Sequence, residues 1–256
     1  MLGRFTTAQD LGQYSLVKML LMLMAVFGGA FVTGLGALVA ERHSRGDVDG
    51  MVRVMSLIAR WNALVTVPIF AIFLFWGAEL TLLFGPSFGA SQAVVSWLAA
   101  SQFVFMIFGP SGWALSMTGR HVLELKILST GLVIATLLCW AAVPAFGQLG
   151  AAVATCTSVA TVNIARVLFV RHAIGAFSFG SDVIVITAAG IGLAWGSSAV
   201  VAQFALPPFW EAIAGIGSFA LAYTVAACMR LLSESEKCAI QEAISSTTRM
   251  VFTRTP

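Results

Sequence analysis

Residues 62–84, NALVTVPIFAIFLFWGAELTLLF, and residues 93–117, AVVSWLAASQFVFMIFGPSGWALSM, decide how this chain folds. Each run exceeds the roughly 20 residues that carry a helix across about 30 Å of hydrocarbon at about 1.5 Å per residue. Between them stands GPSFGASQ (85–92), whose glycines and proline stop a helix and turn the chain. A short basic loop, Thr118-Gly119-Arg120-His121, closes the second run. The stretch reads as a helical hairpin that spans a membrane.

The rest of the chain repeats this theme. Of its 256 residues, 59% are hydrophobic and only 10% charged, with a mean hydropathy of +0.94. A soluble domain needs about 25% charged residues. Apolar blocks of this length favour helices, because a β-barrel strand alternates apolar and polar side chains. The expected fold class is all-α, a polytopic transmembrane bundle of about seven spans near 15–40, 62–84, 93–117, 122–146, 149–170, 183–206 and 208–230, with 231–256 as a cytoplasmic tail. Between the first two spans, MVRVMSLIARW (51–61) has amphipathic helical spacing and is expected to lie along the cytoplasmic interface and run into the second span.

Lys and Arg orient the bundle. Arg42, Arg45, Arg53, Arg60, Arg120, Lys126, Arg166, Arg171, Arg230, Lys237, Arg249 and Arg254 all fall on one side of such a topology, leaving Arg4 and Lys18 on the other. The positive-inside rule makes the first side cytoplasmic. The C-terminus is then cytoplasmic and the N-terminus periplasmic. Residues 1–14, MLGRFTTAQDLGQY, carry no signal-like charged and apolar regions. An upstream partner segment is therefore expected.

Ionisable groups within spans are functional candidates by default. Lys18, Glu79 and Glu211 are expected near outer helix ends, and Glu124, Lys126 and Arg166 near inner ones, where long side chains ordinarily snorkel to the interface. Against that default, Lys18 is the first substrate-binding candidate, as the basic residue that defies the charge bias. Arg166 follows, with Asn163 three residues before it on the same helix face. Thr155, Thr157, Ser158 and Thr161 enrich one helix in hydroxyls, read mainly as packing. Gly192 and Gly196 form a G-x-x-x-G, a spacing that lets helices approach. Pro68, Pro144 and Gly109-Pro110-Ser111-Gly112 interrupt helices, as in transporters that bend between states.

Several function classes drop out. Cys139, Cys156, Cys228 and Cys238 show no C-x-x-C spacing, and His43, His121 and His172 stand far apart in predicted loops, so neither a redox nor a metal centre is expected. No phosphate-binding glycine loop or nucleophile constellation occurs; an enzyme and a cofactor are not expected. Basic residues are spread over four connections, which argues against nucleic acid as a partner.

Five stretches carry a family resemblance: LGQYSLVKM (11–19), the approach from Arg60 to Pro68, LTLLFGPSFGASQAVVSWLA (80–99), SMTGRHVLELKI (116–127) and FGQLGAAVATCTSVATVNIAR (146–166). They resemble the polysaccharide flippases of the multidrug/oligosaccharidyl-lipid/polysaccharide exporter superfamily, the Wzx-type O-antigen and teichoic acid exporters. Gly147, Gly150, Ala151, Ala152, Ala154 and Thr155 occupy that family's G-x-x-G-A-A-x-A-T pattern. The resemblance implies the C-terminal lobe of a two-lobe exporter in a bacterial inner membrane, moving lipid-linked oligosaccharide by alternating access. Its implied partners are that substrate, membrane lipids and a missing N-terminal lobe. Of the family's cationic cavity residues, the resemblance carries over only Lys18 and Arg166, neither of which sits in a specific motif. Two rivals stand beside this reading: a cation-coupled multidrug exporter of the same superfamily, and a non-transporting remnant or assembly subunit.

Overall fold

Every element of the computed structural model is a helix or a short turn, and no strand occurs among the described residues, 2–174, 181–204 and 207–228. After a single turn, α1 (Leu2–Phe5), come α2 (Ala8–Ser44), α3 (Val48–Leu82), a 3-10 turn at Pro86–Phe88, α4 (Gln92–Phe108), α5 (Pro110–Met117), α6 (His121–Ile174), α7 (Ser181–Ala202) and α8 (Pro208–Ala226). Four of these, α3, α6, α7 and α8, are long and apolar enough to cross a membrane; the pair α4–α5, bent by 44°, makes a fifth. The expected tail, 231–256, lies outside the described residues.

Apolar side chains cover both sides of these helices. On α2, Val17, Leu21 and Met24 are buried at helical spacing, while Met19, Met22 and Val26 on the opposite side are 63–73% exposed. A surface helix of a soluble protein would be polar on that second side. Inside, α3 is central: it packs against α2, α4, α7 and α8. One core cluster joins α3 to α7 and α8 around Val67, Trp76, Ile186 and Phe219. A second joins α2, α3 and α4 around Leu21, Phe70, Val95 and Leu98. The third gathers Val39, Met51, Met55, Ile58, Leu115 and Ile127 near the basic end.

Residues 51–61 form the first turns of α3 and run directly into the second apolar span. No break separates them from the rest of α3, and Met51, Met55 and Ile58 are buried in that third cluster. Their apolar stripe faces protein, which the periodicity could not distinguish from lipid headgroups. Asp47 starts the helix: its carboxylate accepts from Gly50 N at 2.8 Å. That backbone bond, with Arg42 beside it, holds the Asp47 carboxyl below the usual carboxylate range.

At three places where helical hydrogen bonds are lost, one side chain from a neighbour supplies the missing partner. The backbone of α3 leaves the helix at Trp76 (φ −128°, ψ 19°), which strands the groups around it. Gln92, at the start of α4, donates from Nε2 to the carbonyls of Phe73 (3.0 Å) and Leu74 (2.7 Å), and its Oε1 accepts from Ala78 N at 2.7 Å. Pro68 lacks an N–H, so the Leu64 carbonyl has no helical donor; Tyr223 Oη of α8 donates to it at 2.9 Å. Pro110 likewise frees the Met106 carbonyl, and Asn62 Nδ2 of α3 donates to it at 3.1 Å. In hydrocarbon each unmet backbone group costs several kcal/mol, which is why broken helices survive only where protein re-satisfies them.

The third patch is testable by rescue. Asn62→Leu is expected to destabilise by about 1–3 kcal/mol through the unmet Met106 carbonyl. In a Pro110→Ala background the restored N–H supplies the missing donor, and the same substitution should cost markedly less. Detergent-solubilised unfolding of the four variants measures both; equal costs in the two backgrounds would remove the patching role.

α6 reverses direction at Gly147 (φ 54°, ψ −127°), a backbone conformation that a side chain disfavours. A straight helix would separate Glu124 and Arg166 by about 63 Å at 1.5 Å per residue, yet their side chains are paired. Ser158 Oγ donates to Gly131 O at 2.8 Å, further down the same two arms. Residues 121–146 and 148–174 are therefore antiparallel arms that pack on α4 and α5. Gly131 permits the close approach, because a Cβ there would stand 2.1 Å from Val162 Cγ2. Among the described residues nothing packs on Gly192 or Gly196, the expected points of close approach: a Cβ at either meets nothing within 4 Å. Gly190 fills that role on α7, against Val67 and Tyr223.

Candidate functional site

Arg166 projects from the second arm of α6 and is 7% exposed. Its Nε donates to both carboxylate oxygens of Glu124 at 3.0 and 3.3 Å, and Nη2 donates to Glu124 Oε1. Asn163, 1% exposed, accepts from Arg166 Nη1 through Oδ1 at 3.4 Å and ties its own Nδ2 to Val159 O. The i, i+3 spacing thus brings the two expected residues together. Neither charged group snorkels. Each is shielded by the other arm, so the pair stays inside the bundle where a lone ion could not.

α5 lies directly over the guanidinium. A Cβ at Gly112 would stand 2.8 Å from Arg166 Nε and 2.9 Å from Cζ, so a larger residue there would push the guanidinium from its place. The bend at Pro110 aims α5 at this spot. Beside the pair opens a pocket of about 290 Å³, walled by Phe105, Gly109, Gly112 and Trp113 on one side and Glu124 and Arg166 on the other. Trp113 is 49% exposed and Phe105 41%. The guanidinium's two terminal nitrogens carry two hydrogens each, so donors remain for an anionic ligand that competes with Glu124. The chemistry on offer is recognition: a cation held by a displaceable carboxylate, next to aromatic faces.

Lys18 stands apart. It is exposed on α2, its ammonium 5.9 Å from the centre of the Tyr14 ring. Tyr14 shares a hydrogen bond with Thr155 at 3.2 Å, which sets Lys18 about 10 Å along the helix axis from the level of Arg166. Around this end of α2 runs a polar tie. Gln148, next to the α6 elbow, donates to Asp10 Oδ1 (2.8 Å) and Gln13 Oε1 (3.1 Å), while Gln9 and Gln13 both donate to Ser87 O. The Thr7 hydroxyl and the Thr7 and Gln148 N–H groups hold the Asp10 carboxyl below its ordinary range.

The hydroxyl-rich stretch behaves as packing: Thr155, Ser158 and Thr161 donate to the carbonyls of Ala151, Gly131 and Thr157. Cys139, Cys156 and Cys228 are free, and Cys238 lies outside the described residues. Among the described residues no three His, Cys, Asp or Glu side chains are grouped to hold a metal ion. Sequence reasoning missed Glu124 as the partner of Arg166, and Gly112 and Trp113 as walls. The available signal was opposite charge at similar distances on either side of an F-G-Q-x-G elbow. Comparison with family models, with curated proteins and with solved structures finds no match to this chain.

Proposed function

We propose that the chain crosses a bacterial inner membrane seven times and takes part in moving lipid-linked oligosaccharide outward. The crossings are α2, α3, the bent pair α4–α5, the two arms of α6, α7 and α8, with the N-terminus outside and the C-terminus cytoplasmic. The observation that carries the reading is the buried Arg166–Glu124 pair opening onto an aromatic-walled pocket. A lipid pyrophosphate meets Arg166 in competition with Glu124, forming charge-assisted bonds. Sugar rings lie against Trp113 and Phe105 while the lipid tail stays in the bilayer. Between substrates Glu124 neutralises the guanidinium, so the empty pocket holds no bare charge. Lys18, nearer the outer end, receives the phosphate on its way out, and a second lobe of similar build completes the cavity. The patched breaks at Trp76 and Pro110 supply bending points for alternating access.

The test uses cells whose surface glycan depends on the full-length protein. Trp113→Ala removes one aromatic face, on the order of 1 kcal/mol or about fivefold in affinity. Surface glycan should fall and its lipid-linked precursor accumulate, with the amount of protein in the membrane unchanged. Normal glycan with altered drug susceptibility would point to the drug-exporter reading; no change in either would leave the pocket without this role. Reporter fusions that found the amino end in the cytosol would overturn the topology.

A further inference from the structure

A second cavity, also about 290 Å³, runs between the two arms of α6, lined by a different set of residues from the Arg166 pocket. Its walls are Leu123, Ile127 and Ile134 on the first arm and Val162, Ala165 and Phe169 on the second. From Leu123 to Ile134 the first arm rises about 16 Å, close to the half-thickness of a bilayer's hydrocarbon, about 15 Å. The two hydroxyls in it are already spent: Thr130 Oγ1 donates to Lys126 O at 2.9 Å and Thr161 Oγ1 to Thr157 O at 2.8 Å. To a ligand the slot is therefore hydrocarbon along its length. One end differs. Lys126, one turn in from Leu123, lines it there, exposed and with no ion pair among the described residues, and Arg120 and Arg171 are exposed at the same end of the arms.

From this geometry we infer that the slot seats one acyl chain of an anionic phospholipid, with Lys126 at the phosphate. The occupant follows from three matched features. The slot parallels the helix axes, as an acyl chain does in a bilayer. Its length is that of one leaflet. Among its lining residues the one charge, Lys126, is positive and sits toward headgroup depth, where each basic residue near an anionic surface contributes attraction. Gly131 keeps the slot narrow by letting Val162 press against its Cα, so the arms grip a chain instead of parting around it. The inference rests on the membrane reading above and not on the identity of the transported molecule.

Native mass spectrometry of the full chain released from nanodiscs tests it. The probes are phosphatidylglycerol and phosphatidylcholine of equal chain length. Wild type is expected to retain one phosphatidylglycerol in preference to phosphatidylcholine. Lys126→Gln should reduce that preference roughly fivefold. Thr161→Phe, at an exposed position, should block the slot and lower retention of both lipids. Equal retention of the two lipids by wild type, or no effect of either variant, overturns the site. Binding of inorganic phosphate that depends on Lys126 but not on Thr161→Phe overturns the lipid assignment in favour of a free-anion site. Carbonate extraction of the same membranes separates these outcomes: a chain that washes off fails the membrane reading itself.

Discussion

Replacing Gln92 with leucine is expected to destabilise the protein by about 2–4 kcal/mol, as the sum of three backbone groups each left unmet at about 1 kcal/mol or more. The carboxamide is matched to the break at Trp76 because it carries both chemistries at once. Its NH₂ serves the carbonyls of Phe73 and Leu74, and its oxygen serves the amide of Ala78. Gly77 lets α4 come close enough for this, since a Cβ there would stand 2.4 Å from Val95 Cγ1. Gln92→Glu is the sharper control. It preserves size and the acceptor for Ala78, yet it presents carboxylate oxygens to two carbonyls and should be at least as damaging as leucine. Unfolding in detergent reads the stability, and hydrogen exchange at the Ala78 amide reads the local bond. A Gln92→Leu protein within about 0.5 kcal/mol of wild type, with Ala78 still protected, would show that the break needs no patch. Surface substitutions without such a role fall in that range.

Why this was illegible in the sequence is itself physical. Hydropathy reports what a residue prefers as a solvent, so it located the apolar runs at 62–84 and 93–117 and the all-helical character. Proline and glycine marked interruptions at Pro68, Pro144 and Gly109–Gly112; the bend at Pro110 is there, but the backbone leaves the helix at Trp76 and Gly147, not at Pro68 or Pro144. Neither reports which neighbour supplies the missing donor. Gln92 read as the last residue of a turn, and nothing singled out Tyr223, because their partners lie 14 to 159 residues away. The candidate site was half legible for the same reason. Asn163 and Arg166 share a helix turn, a local relation that spacing reveals. Glu124 joins them only after the chain folds back at Gly147, so each charge taken alone looked like a snorkelling end residue. The G-x-x-x-G of α7 misled in the opposite sense: the spacing permits contact, but Gly190, two residues earlier, is where Val67 and Tyr223 press.

The Glu124–Arg166 pair should show the largest single-residue effects, and its double variant should separate folding from function. Arg166→Met leaves a buried carboxylate and Glu124→Met a buried guanidinium. Each is expected to cost about 3–5 kcal/mol, because an unpartnered ion inside the bundle is far worse than none. The combined Glu124→Met/Arg166→Met chain buries no charge and should recover to near wild-type stability, or exceed it. High salt should leave the wild-type pair in place, since side chains 8% and 11% exposed are little screened. If the pair were merely structural, the stable double variant would support normal glycan export. If Arg166 receives the substrate's phosphate, the double variant folds, reaches the membrane and exports nothing. Glu124→Gln refines the distinction: a neutral amide still accepts from Arg166 but competes less well against an anion. Substrate should then be held more tightly and released more slowly, so precursor remains bound to the purified protein. A Glu124→Gln protein that retains no more precursor than wild type, together with an active double variant, would return the pair to an architectural role. Additive losses across the two single substitutions would deny even that, since residues in contact must couple.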